Sequence, residues 1–162
     1  MHQLFVVAHV LGAFLFIAAH GVSMGATLKL RGERDRARAA TLLQLSQGGI
    51  AIMYLGLLLL LAGGIAAGFS GSYWGQLWLW VSIGLLLVIA VAMYAMGTSF
   101  YGRLRSALAI PAADGKLRES KEPPLSDVEI DALIDSSRPY VLALIGGIGL
   151  VLLVWLMVAK PF

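Results

Sequence analysis

The chain has 162 residues, 59% hydrophobic and 13% charged, with a mean hydropathy of +0.85. Soluble domains carry about 25% charge and 45–50% apolar residues, so this is not an ordinary soluble domain. Cysteine is absent, which excludes disulfides, thiolate metal sites and cysteine nucleophiles. The net charge of +3 comes from basic residues beside apolar segments, which is the bias of cytoplasmic loops rather than a nucleic-acid footprint.

Four apolar stretches free of Asp, Glu, Lys and Arg reach the roughly 20 residues that a spanning helix needs. They predict an all-α protein, a four-helix transmembrane bundle with spans at about 2–27, 46–68, 76–99 and 138–159. Residues 1–162 then form a single integral membrane domain with no separate soluble domain, the third connection being the only sizeable soluble part. Met1-His2-Gln3 runs straight into the first span without the basic n-region of a secretory signal, so the first helix is expected to stay in the membrane.

After the first span, Lys29 to Arg38 holds five basic and two acidic residues, then an Ala-rich stretch that can extend the second helix below the membrane. The short second connection is uncharged, and Tyr73, Trp74, Trp78 and Trp80 cluster there as an interfacial aromatic belt does. The third connection, 100–137, is broken in its first half by Pro111, Gly115, Pro123 and Pro124 and is expected to wander over the membrane surface. In its second half Ser126 and Glu129 have capping-box spacing, predicting a short amphipathic helix with Ile130, Leu133 and Ile134 on one face and Asp127, Asp131 and Asp135 on another. That acidic row lacks a calcium-loop pattern and reads as a solvated face. Loops 28–45 and 100–137 carry nearly all the basic residues. The positive-inside rule therefore places them in the cytoplasm and both termini outside.

Gly21 with Gly25, Gly64 with Gly68 and Ala143 with Gly147 have the four-residue spacing that lets helices approach closely in lipid. Such faces fit homodimerisation or packing into a larger membrane complex.

Imidazoles are expensive in hydrocarbon and mark candidate sites. His9 and His20 lie eleven residues apart on one stripe of the first helix, at depths that differ by about 16 Å. Counting from the cytoplasmic end puts Met53, Tyr54, Met93 and Tyr94 level with His20, and Gly63, Gly64 and Gly84 level with His9. Small residues beside His9 leave volume for a flat group. Histidines at two levels of a membrane bundle are the layout of b-type cytochromes, so His9 and His20 are candidate haem b ligands, with Gly63, Gly64 and Gly84 as the slot. Each level supplies one histidine, so the second axial position falls to methionine, to a second subunit or to none. His20 with Met53 and Met93 is alternatively a Cu(I) set, because thioethers favour that ion. The plainer alternative is that either histidine bonds a neighbouring carbonyl and no cofactor binds. The absence of intramembrane carboxylates and of broken-helix repeats argues against an ion-coupled transporter, and no phosphate loop, zinc motif or nucleophile motif occurs.

The run from His9 to His20-Gly-Val-Ser, the basic Lys-Leu-Arg-Gly-Glu-Arg-Asp loop, the Leu-rich second helix with its Gly-Gly and the Trp-rich turn together resemble a family of small, four-span bacterial integral membrane proteins. That family is distantly similar to the membrane part of copper-resistance protein D. The resemblance covers most of the chain and implies residence in the bacterial inner membrane and a link to metal or redox handling, carried by His9 and His20. The chain departs from those relatives in having half as many spans and no further membrane histidines. The expected function is a cytochrome-like electron carrier or redox subunit. A non-catalytic accessory or assembly subunit and a copper-handling membrane protein are the alternatives.

Overall fold

Four helices of the computed structural model, which describes residues 1–111, 115–116 and 123–162, are long and apolar enough to cross a membrane. They are α1 (His2–Leu30), α3 (Ile50–Ser70), α4 (Leu77–Ala107) and α6 (Arg138–Ala159). Helix α2 (Arg36–Gly48) leads into α3, and α5 (Asp127–Ile134) precedes α6. No strand occurs among the described residues, and the architecture is all-α as the hydropathy requires.

Local chemistry sets the helix ends. The Asp35 carboxylate starts α2 by accepting from the amides of Ala37 (2.9 Å) and Arg38 (3.2 Å). Ser126 and Glu129 form the expected capping box at α5, and the Ser126 amide and hydroxyl hold the Glu129 carboxyl below the usual range. Pro139 sits in the first turn of α6, where its missing N–H is no loss. Both α1 and α4 run past the expected span ends at 27 and 99. At 31 residues, α4 is longer than the hydrocarbon core requires. Its last turns, with Arg103 and Arg105, therefore emerge from the apolar layer. The expected course of the third loop over 112–114 and 117–122 lies outside the described residues.

Large apolar side chains cover the outside of the bundle; Leu58, Val88 and Val151 are 64%, 67% and 67% exposed. Surface of this kind over four spans belongs in a bilayer. Inside, the helices sort into two pairs. Along most of its length α1 packs on α3, while α4 pairs with α6, and between the pairs α1 and α6 make a short contact.

The α1–α3 pair is close because glycine lines it. A Cβ on Gly56 would lie 2.6 Å from the Phe16 amide nitrogen and 3.0 Å from the Gly12 carbonyl oxygen, and one on Gly63 would lie 2.6 Å from the His9 nitrogen. Gly49 faces Ala19, and Ser70 continues the row with a 2.8 Å hydrogen bond to His2. Gly49, Gly56, Gly63 and Ser70 recur every seven residues, so the seam runs the whole helix. By contrast, Gly21, Gly25 and Gly147 have nothing within 4 Å of an added Cβ. The four-residue spacings at Gly21–Gly25 and Ala143–Gly147 are therefore not intrachain seams. In the second pair, Gly149 seats the Ile89 side chain.

The apolar cluster with the lowest exposure sits at the bundle end that carries the α1–α2 and α4–α5 connections. It comprises Leu30, Ala39, Leu43, Leu104, Ile110, Ile130 and Ile134. Arg34 and Arg36 cross over it to Asp131 and Asp135, with Arg34 at 2.7 Å from Asp135 and Arg36 at 2.8 Å from Asp131. At the opposite end, Lys160 stands over the rings of Tyr73 (4.7 Å) and Trp78 (5.4 Å), and the Trp80 indole donates to the Trp74 carbonyl at 2.9 Å.

Candidate functional site between the two helix pairs

The two histidines of α1 have different surroundings. Nδ1 of His9 lies 2.7 Å from the Leu60 carbonyl oxygen and donates to it in the neutral ring. Leu60 is one turn before Gly64, and a Cβ on Gly64 would fall 2.8 Å from that same Nδ1 and 3.0 Å from Cε1. The space beside Gly63 and Gly64 is thus filled by the α1 backbone and the His9 ring itself. No flat slot remains there, because the small residues serve helix approach. Gly84 has nothing within 4 Å of an added Cβ and does not join this contact. Gly63 and Gly64, expected as part of a cofactor slot, thus lie in the α1–α3 contact, while Gly84 lies apart from them.

His20 is different. Among the described residues it makes no hydrogen bond; its ring stacks on Phe16 one turn earlier, with centroids 5.6 Å apart and planes 5° from parallel. It lines a cleft of about 700 Å³ between the two pairs, walled by α1, α3, α4 and α6. Met24, Met93, Tyr54 and Tyr94 line the same cleft. Met24 follows His20 by four residues and so shares its face, and the Met93 methyl lies 3.8 Å from where a Cβ on Gly146 would be, against α6. Met53, level with His20 by counting, does not line the cleft. Level gives depth but not azimuth, and Met53 points elsewhere.

Toward the connecting end the lining turns polar, with Ser23, Thr27, Gln47, Tyr101, Arg105 and Ser106. The Ser23 hydroxyl pairs with that of Ser46 at 2.8 Å, so it is held by α2 and not by His20. With its amide turned to satisfy both neighbours, Gln47 accepts from Arg105 Nε at 2.9 Å and donates to the Pro111 carbonyl at 3.2 Å. The Arg105 guanidinium also lies over the Tyr101 ring, 5.7 Å from its centroid.

The cleft thus brings together one imidazole and two thioethers, Met93 level with His20 and Met24 one turn away, with a cation at its connecting end. No three His, Asp or Glu side chains among the described residues come together to hold a metal, so any metal here relies on methionine sulfur. Sequence reasoning missed Met24 and Arg105. The His-x-x-x-Met spacing is a signal that could have found Met24, whereas Arg105 has the sequence context of an ordinary loop cation.

The fold and this cleft define a multi-pass helical membrane protein. Comparison with protein-family models, curated proteins and solved structures finds no match to the chain.

Proposed function

We propose that the protein is a cytochrome-like electron carrier or redox subunit of the bacterial cytoplasmic membrane, holding one haem b in the cleft through His20. The observation that carries the reading is the hydrogen-bond-free His20 imidazole sharing a cleft with Met24 and Met93. The residues fit the group: the volume of about 700 Å³ lies in the range of small-molecule sites, and imidazole and thioether are both donors that hold haem iron. His20 would bind the iron, and Met93 of the facing helix α4 would supply a second ligand. Bound haem supplies one-electron exchange. The chain's own part is to exclude water with apolar walls, place Phe16 against the ligating ring and keep a cation, Arg105, at the wet end. His9 has a structural role in this reading, pinning α1 to α3 through Leu60.

Purified in mild detergent, the parent is expected to show a Soret band and His20→Ala to lose it at least tenfold, while His9→Ala keeps it. A parent with neither Soret band nor bound metal removes the redox reading and leaves the accessory-subunit reading. The second reading, Cu(I) held by His20, Met24 and Met93, is favoured by the three soft donors lining one cleft. Stoichiometric copper without a Soret band would identify it.

The basic residues of the two connections support an orientation with both termini outside. A C-terminal alkaline phosphatase fusion should be active and a C-terminal green fluorescent protein fusion dark; the reverse pattern overturns the orientation.

A further inference from the structure

Arg105 is the one arginine among the described residues that lines the cleft. Its partners there are neutral: Gln47 takes Nε, and Tyr101 offers a ring face. No described carboxylate lies within ion-pair distance, whereas Arg34, Arg36 and Arg38 all have one. A half-buried guanidinium turned into a cleft is costly to desolvate without a counter-charge. With Nε occupied, the terminal nitrogens still present the planar fork that matches a carboxylate or phosphate. The hydroxyl-bearing Thr27 and Ser106 line the same end.

The cleft also has an entrance. Tyr54 of α3 and Tyr94 of α4 line it and are nevertheless 62% and 74% exposed. They stand at the edges of an opening between the two pairs at membrane depth, which admits a molecule dissolved in the bilayer.

We infer that Arg105, backed by Gln47 and Tyr101, is the seat for the acid group of an amphiphile whose apolar body lies in the cleft beside His20 and Met93. Two sources share this chemistry: a propionate of the haem proposed above, which rests on that reading, and the phosphate of an anionic membrane lipid, which does not.

The test compares parent, Arg105→Gln, Arg105→Lys and His20→Ala, each purified and delipidated. It measures haem retained per chain, and phosphatidylglycerol against phosphatidylcholine bound from mixed micelles by native mass spectrometry. Loss of a charge-assisted bond reads as about tenfold weaker retention. A propionate source predicts that Arg105→Gln loses haem about tenfold with lipid binding unchanged. A lipid source predicts a parent preference for phosphatidylglycerol that Arg105→Gln abolishes, Arg105→Lys keeps and His20→Ala leaves intact. Arg105→Gln equal to parent in both measurements overturns the seat. Should Arg105→Gln not fold, the parent decides the lipid source by its preference between the two lipids, and Arg105→Lys, which keeps the charge but not the fork, decides the propionate source by weakened haem retention. No lipid preference in the parent together with parent-like retention in Arg105→Lys then overturns the inference. A parent that lacks haem but prefers phosphatidylglycerol sinks the redox reading and leaves this one standing.

Discussion

Gly56→Leu is expected to force α1 away from α3 and destabilise the protein by about 3 kcal/mol, the upper end of what overpacking a close seam costs. Three neighbours stand within 3.1 Å of a Cβ at that position, namely the Phe16 nitrogen, the Gly12 oxygen and the Leu15 carbonyl carbon, and all are backbone. A side chain can rotate aside; a helix backbone cannot without moving the helix. In lipid the loss is not recovered elsewhere, because helix association there depends on close packing and interhelical hydrogen bonds rather than on apolar burial. Separation would also stretch the His9–Leu60 bond of 2.7 Å, a second contribution of the same sign. The control is Gly25→Leu, where nothing lies within 4 Å of the added Cβ; it should stay within about 0.5 kcal/mol of the parent. Unfolding in mixed micelles, followed by circular dichroism, measures both. Equal midpoints for Gly56→Leu and the parent would show that the glycine seam does not hold the pair.

The same residues show what the sequence could disclose. Helix number and type were legible because four charge-free runs of spanning length admit one structure in lipid. The seam was legible in principle: Gly49, Gly56, Gly63 and Ser70 repeat every seven residues, but four-residue glycine pairs are the more familiar pattern. Gly21 and Gly25 illustrate the difference, having the motif without the neighbour. His9 was not legible, since its partner is the Leu60 carbonyl and a backbone acceptor leaves no mark in side-chain pattern. Counting residues placed Met53 and Met93 at the depth of His20, yet only Met93 shares its cleft. Azimuth depends on how the pairs rotate against each other, which is a tertiary property. Arg105 was hidden for a related reason: α4 runs to Ala107, so a residue read as loop is carried on a helix wall into the cleft.

Leu104→Ala is expected to cost about 3 kcal/mol and to uncouple the two helix pairs, whereas Leu58→Ala should change stability by less than about 0.5 kcal/mol. Leu104 is fully buried among Leu30, Leu43, Ile130 and Ile134, while Leu58 is 64% exposed toward lipid. The contrast follows from solvent. Between spans, an apolar side chain exchanges lipid for protein and gains little. At the connecting end, where charged linkers meet water, burial removes apolar surface from water and the hydrophobic effect acts in full. That layer joins α1 and α2 to α4 and α5, and among the described residues the main contact between the pairs within the membrane is the short one of α1 with α6. The Arg34 and Arg36 ion pairs over the layer are about half-exposed on the arginine side of one and the aspartate side of both; such pairs contribute about 0–1 kcal/mol each. Asp131→Asn should therefore weaken the junction far less than Leu104→Ala, and the difference between them decides whether packing or charge holds it. Spin labels on α1 and α4 would read the uncoupling as a broadened distance distribution in Leu104→Ala. A distribution as narrow as the parent's would mean that the membrane contact alone fixes the pairs, and with them the width of the cleft at His20.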